Sequence, residues 1–281
     1  MKLDSNSRIL IIGNCPTSKD LNCLLKSKNL IVSYSSNINE IENQFFELAF
    51  IFTEDNLDVK LTYLSTLESM NNNDGLVCVN LDAINLETVQ KEFNIEVLGV
   101  NFNFPFLDSK FMEIIKTPKN RFQYVDQLKL FGSKLLNKDP YVVNDGISAR
   151  AYMLAAMCRE AFFLVENGYA NIESIDRACR NDAGFYMPFT GNFLYMDLMG
   201  TIAYALVMKD LNPELSNSIE IPSWVLKKIE EGKIGMKRGF GFYNYEKGDY
   251  EKWNKTIQEF SVEINKLINK YDQNYVKIQK P

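Results

Sequence analysis

Between Arg8 and about Val143, short β-type runs alternate with longer amphipathic ones, and this alternation constrains the fold more than any other feature. The runs are Ile9–Ile12, Leu30–Ser33, Leu48–Phe52, Leu76–Val79 and Val97–Phe102, with Tyr141–Val143 as a last short piece. Strands separated by helical patterns build βαβ units, and these assemble into a mostly parallel sheet with helices on its faces. Val59, Leu61, Tyr63, Leu64 and Leu67 recur close to helical spacing, which predicts a helix over Asp58–Met70 that Asn71-Asn72-Asn73-Asp74-Gly75 stops. After Asn144-Asp145-Gly146 no strand pattern appears until Gly241-Phe242-Tyr243. The chain therefore reads as α/β followed by all-α, with domains over 1–145 and 146–281.

In the second domain, Ile147, Ala151, Leu154, Ala155, Cys158, Ala161, Phe162 and Val165 share one face of a long helix. Gly168 can end it in the left-handed conformation, and Asn171 can cap the next helix, Ile172 to about Arg180. Trp253, Ile257, Phe260, Ile264, Leu267 and Tyr271 form a narrow apolar stripe on a charged tail helix over about 250–271. Such a stripe fits an intramolecular brace across the helical domain or a dimer or partner contact.

Composition removes several function classes. A net charge of -5 with scattered lysines offers no basic surface for nucleic acid. The apolar run near the N-terminus is too short for a signal h-region or a membrane span, so the expected location is cytoplasmic. Five cysteines without CxxC spacing suit neither a disulfide framework nor a zinc knuckle and read as buried free thiols. The chain contains no histidine. An imidazole base, a histidine metal ligand and a Ser-His nucleophile pair are all excluded, and no metal site is expected.

Arg8-Ile-Leu-Ile-Ile-Gly13-Asn-Cys15-Pro-Thr-Ser18 stands where a Rossmann domain has its first strand and G-x-G-x-x-G turn. Only Gly13 remains. Cys15 puts a side chain where phosphate approaches, Pro16 removes an N–H, and Ser18 holds the third position. After the second strand, Val32-Ser33-Tyr34-Ser35-Ser36 supplies no acidic residue for a ribose.

A more specific pattern follows. Phe185-Tyr-Met-Pro188-Phe-Thr-Gly191-Asn-Phe193-Leu-Tyr-Met-Asp197-Leu-Met-Gly200 and Gly232-Lys-Ile-Gly235-Met-Lys237-Arg-Gly239-Phe-Gly241-Phe242-Tyr243-Asn-Tyr245 resemble the C-terminal domain of the 3-hydroxyacyl-CoA dehydrogenase family. Leu57-Asp-Val59-Lys60, Val97-Leu-Gly99-Val-Asn101-Phe102-Asn-Phe-Pro105 and Met112-Glu113-Ile114 resemble segments of its first domain, so the resemblance spans about residues 8 to 245. It implies a Rossmann-like NAD domain and a helical domain through which such proteins form homodimers.

The resemblance also assigns roles. Gly13, Cys15 and Ser18 occupy the cofactor loop, and Lys60 falls in a cofactor-binding segment. Asn101 stands at the position of the catalytic histidine, Glu113 at that of its orienting carboxylate, and Asn80 near that of the serine. The helical-domain asparagine falls within Ala149-Arg150-Ala151. An amide cannot act as a base near neutrality, and losing a general base costs about a hundred- to ten-thousandfold in rate.

The first reading is a relative that has lost NAD-dependent hydride transfer and keeps an acyl-CoA- or protein-binding surface, with no cofactor expected unless the ancestral site still binds NAD. A scaffold subunit supporting an active partner in fatty-acid or related acyl metabolism is the second. The alternative is an active NAD-dependent oxidoreductase on a 3-hydroxyacyl-CoA-like substrate, with Asp82, Glu113 or a tyrosine as a replacement acid or base.

Overall fold

The computed structural model describes residues 6–41, 44–71 and 75–271. These form two compact units, dividing between Met153 and Leu154.

In the first unit, strands β1 (Arg8–Ile12), β2 (Ile31–Ser35), β3 (Leu48–Ile51), β4 (Leu76–Val79), β5 (Glu96–Phe102), β6 (Phe111–Ile115) and β7 (Asp139–Val143) form one sheet. Its order is β2-β1-β3-β4-β5-β6-β7. All pairings are parallel except β5 with β6, where Asn101 lies opposite Glu113. The β-type runs thus lie in strands within two residues at their ends, and Phe111–Ile115 adds a strand that the alternation did not single out.

The central strands are near-continuous apolar runs because helices cover both faces. Side chains alternate between those faces. Ile9, Ile11, Phe50, Cys78, Leu98 and Val100 form one core with α1 (Pro16–Ser27) and α4 (Phe122–Leu135), which contribute Leu21, Leu25, Leu128 and Phe131. Leu10, Ile12, Ala49, Ile51, Val77 and Val79 form the other with α2 (Leu57–Asn71) and α3 (Leu86–Gln90), through Leu64, Leu67, Leu86 and Val89. The helix expected over Asp58–Met70 is α2. Residues 72–74 of its expected stop lie outside the described residues.

The second unit is helical. Helix α5 spans Ala149–Glu166, and Gly168 beyond it has φ +72°. Helix α6 spans Ile172–Asn181, with the Asn171 side chain accepting from Ser174 N. Helices α7 (Ala183–Met199), α8 (Thr201–Leu211), α9 (Ser223–Glu230) and α10 (Asp249–Lys270) follow. Gly191 breaks α7 with φ +64° and ψ −164°, a conformation open to glycine without a Cβ penalty. The strand pattern expected at Gly241–Tyr243 reduces to isolated bridges, Gly235 with Phe240 and Phe240 with Asn244. Among the described residues, α5, α6, α7, α8 and α10 contain no buried side chain, and Phe193, Leu198 and Ile202 are largely exposed. The expectation of buried thiols holds for Cys78 alone. Cys15 is half-buried, and Cys23, Cys158 and Cys179 are exposed, each on a helix whose apolar face does not enclose it.

Candidate functional site

Strand order reverses at β1, which pairs β2 on one side and β3 on the other. In open α/β sheets the crevice beyond the carboxyl ends of the strands at such a point is where ligands bind. The first unit has a cleft of about 570 Å³ there, lined from β1, β3, β4 and β5 outward by Asn14, Cys15, Phe52, Thr53, Asn80 and Asn101, with Asp82, Phe104 and Arg150 among the others.

At its α1 edge the glycine-turn residues bond to one another. Gly13 keeps φ +145°, and a Cβ there would lie 2.7 Å from the carbonyl oxygen of Phe52. Cys15 is the N-cap of α1. Its Sγ accepts from Ser18 N at 3.4 Å, while Ser18 Oγ accepts from Cys15 N at 3.2 Å, a reciprocal capping box. Ser18 Oγ also lies 2.9 Å from the Gly13 carbonyl, which accepts from Tyr34 Oη as well. Pro16 has no N–H, so the helix end that would hold an anion is largely satisfied from within the chain.

At the β4–β5 edge the decisive residue is Asn101, 3% exposed. Val79 pairs with Gly99 in parallel register, which sets Leu81 beside Asn101 two residues further on. Asn101 Oδ1 accepts from Leu81 N at 2.9 Å and Nδ2 donates to the Leu81 carbonyl, so the amide extends the backbone ladder. Nδ2 also lies 3.0 Å from Glu113 Oε2 and 3.4 Å from Ser148 Oγ.

Glu113 is fully buried on β6. Its carboxylate accepts from Ser148 Oγ at 2.6 Å, Asn101 Nδ2 at 3.0 Å, Tyr141 Oη at 3.0 Å and Arg150 N at 3.1 Å. Burial, with the Glu113 carboxylate second, pushes the Tyr141 hydroxyl well above its ordinary pKa. Ser148 Oγ in turn accepts from Ala151 N at 3.1 Å and so caps α5. The carboxylate ties β5, β6, β7 and the start of α5 together.

Asn80 lines the cleft, yet its amide is closed on Thr53, accepting from the N–H at 2.9 Å and donating to the carbonyl at 2.8 Å. Lys60 is fully buried and does not line the cleft. It donates to Thr53 Oγ1 at 3.0 Å and to the Glu54 carbonyl at 2.9 Å, and burial lowers its pKa against the pull of Asp55, Asp82 and Glu54. The structure thus gathers Cys15, Asn80 and Asn101 at one cleft, with Glu113 behind Asn101 and Lys60 below.

Arg150 and Ser148 were not singled out as site residues. Arg150 meets Asp82 at 2.9 Å on the cleft wall. Ser148 carried a readable signal, a serine just ahead of a helix. Among the described residues no group of three His, Cys, Asp or Glu side chains could hold a metal ion, and no helix is long and apolar enough to cross a membrane.

Residues 150–245 match the family described as 3-hydroxyacyl-CoA dehydrogenase, C-terminal domain. Over that segment the chain is similar to the 3-hydroxyacyl-CoA dehydrogenase family. Human mitochondrial hydroxyacyl-coenzyme A dehydrogenase is 33% identical over 151 residues, 52% of this chain and 46% of that protein. A 5-formyl-3-hydroxy-2-methylpyridine 4-carboxylate 5-dehydrogenase of Mesorhizobium japonicum is 25% identical over 195 residues, 68% of this chain and 63% of that enzyme. The chain thus aligns with about half to two thirds of these relatives' length. A solved 5-dehydrogenase of that kind, an NAD+-dependent dismutase, shares the fold at TM-score 0.81, with 19% identity, 95% of this chain and 100% of the other covered. The 3-hydroxyacyl-CoA dehydrogenase of Archaeoglobus fulgidus does so at TM-score 0.61, with 19% identity and coverage of 91% and 99%.

Proposed function

We propose that this chain is a 3-hydroxyacyl-CoA dehydrogenase relative that has lost NAD-dependent hydride transfer and is retained as a binding or scaffold protein, with acyl-CoA as the ligand class to test first. The observation that carries this is Asn101. It stands where the resemblance assigns the catalytic histidine, and both ends of its amide are committed to Leu81. A general base must reach a substrate proton with a lone pair of suitable pKa, and this amide offers neither. The self-closed capping box at Cys15 and Ser18 supports the same reading for the cofactor loop. The apolar side chains left open on α7 and α8 support a homodimer through the helical unit, checked by light scattering.

The test combines turnover with binding. NADH oxidation with acetoacetyl-CoA is expected at background, while thermal unfolding is followed with NAD+, NADH, CoA and acetoacetyl-CoA. A ligand at a hundred times its Kd adds about 2.7 kcal/mol, a readily seen shift. A shift with the CoA compounds alone supports an acyl-CoA-binding relative, and no shift with any supports the scaffold. Turnover would overturn the proposal and restore the active oxidoreductase.

A further inference from the structure

The cleft of the first unit is open and polar, but its charge and its donors do not suit a dinucleotide. Resting on the reading that hydride transfer is lost, we infer that this cleft takes a phosphate-free nitrogen heterocycle, neutral or cationic, of about nucleoside size. Its volume of about 570 Å³ lies in the range of small-molecule sites.

Two features set the chemistry of the occupant. Among the described residues that line the cleft, Arg150 is the one cation, and its guanidinium is held by Asp82 at 2.9 Å. Glu54 is exposed three residues beyond β3, and its carboxylate makes no hydrogen bond within the described residues, its nearest opposite charge being the buried Lys60. With Lys60 and Arg150 set against Glu54, Asp55 and Asp82, the net charge at the cleft is negative, which repels a diphosphate and favours a donor or a cation. At the α1 edge, Pro16 lacks an N–H and the amides of Cys15 and Ser18 are closed on each other's side chains, leaving Thr17 as the free amide of that first turn.

The remaining wall suits a flat ring. Phe52 and Phe102 stand with centroids 6.3 Å apart and planes inclined by 40°, and Phe104 beside them is 38% exposed. A planar heterocycle can lie against these faces and edges. Asn103 closes its Oδ1 on Phe104 N at 3.0 Å and so keeps its amide nitrogen as a donor for a ring nitrogen or carbonyl, while Glu54 accepts from an exocyclic amine or a sugar hydroxyl.

The full chain would be titrated calorimetrically with adenosine, with nicotinamide riboside as the cationic counterpart, and with ADP and NAD+. Saturable binding of a nucleoside at one site is expected, with its phosphorylated partner at least about tenfold weaker. Glu54→Lys, at an exposed position, is expected to shrink that difference to within about threefold. Absence of binding by both nucleosides, or ADP or NAD+ binding as tightly as its nucleoside, overturns the inference. NADH turnover in the same preparation separates the two claims. Turnover defeats the loss of hydride transfer, whereas tight NAD+ binding without turnover defeats only the assignment of the ligand class.

Discussion

Asn101→His restores the side chain that the resemblance places at the catalytic position, and the structure argues that it damages the fold. In the native chain the amide pairs with both the N–H and the carbonyl of Leu81, which is itself fully buried. An imidazole can recover a bond to Glu113 but cannot donate and accept side by side at the same spacing, so two buried backbone groups lose their partners. Each such group costs about 1–3 kcal/mol, which gives about 2–6 kcal/mol for the variant. Against a typical stability of about 5–15 kcal/mol that is a large fraction. Both tryptophans, Trp224 and Trp253, lie in the second unit, so urea unfolding should be followed by far-UV circular dichroism. Hydrogen exchange at the Leu81 amide provides a local readout. A variant within about 0.5 kcal/mol of the parent, the range of neutral surface changes, with Leu81 still protected, would refute the argument. Asn101→Asp is the harsher control, because it removes the donor and sets a second carboxylate beside Glu113.

Glu113→Gln places an amide nitrogen among four donors and is expected to lose at least about 2 kcal/mol, the scale of one or two bonds to a charged group, measured by urea midpoint. Ser18→Gly opens the cofactor-loop capping box at a cost of about 1–2 kcal/mol, read from thermal unfolding. The triple variant Cys15→Gly, Ser18→Gly, Asn101→His is expected to give no more than background NADH turnover, and substantial activity would contradict the lost-transfer reading. Lys138 supplies the pH dependence. Burial, with Lys110 adding to it, lowers its pKa from 10.5 to about 8 despite Asp108 and Asp20. Between those values the unfolded chain holds the proton that the folded chain has released, so its contribution to stability rises with pH from about 8 toward 10.5. Lys138→Met is expected to flatten that part of the urea-midpoint profile, and an unchanged slope would exclude Lys138 as its source.

Much of the architecture was legible because the signals were local. Ile9–Ile12 and Leu76–Val79 are apolar runs buried on both faces, and Asn171 ahead of Ile172 is a capping signal that needs no tertiary context. Strand β6 was harder, since Phe111–Ile115 offers five residues and its place is set by antiparallel pairing with β5. For the site, that an amide at position 101 cannot act as a base could be read from chemistry alone, whereas the bonds to Leu81 could not. They depend on the β4–β5 register and join residues 20 apart. The four donors around Glu113 come from β5, β7, the Ser148 cap and the first turn of α5, so its setting as a buried hub followed only from the sheet order. The setting of Lys60 was hidden for a related reason. Its segment runs into α2 as expected, but the helix phase buries the ammonium under Thr53 and the Glu54 carbonyl.

The positions that the resemblance assigns to chemistry share one property. Ser18 caps a helix, Asn80 closes on Thr53, Asn101 closes on Leu81, and Glu113 ties three strands to α5. Functional side chains ordinarily leave polar atoms open toward a ligand and cost stability in doing so. Here those atoms are bonded within the fold, so a change at any of these positions must break bonds that the present residue makes. Asn101 and Glu113 touch each other, which makes their effects non-additive, while Ser18 makes its bonds to Gly13 and Cys15 and shares no partner with them. Ser18→Gly should therefore add to Asn101→His within about 0.5 kcal/mol, whereas Glu113→Gln should couple to it strongly. A double-mutant cycle in which the Ser18 and Asn101 changes also couple would mean that the two edges of the cleft act as one unit, and that the loop and the β4–β5 edge are adapted to a common ligand.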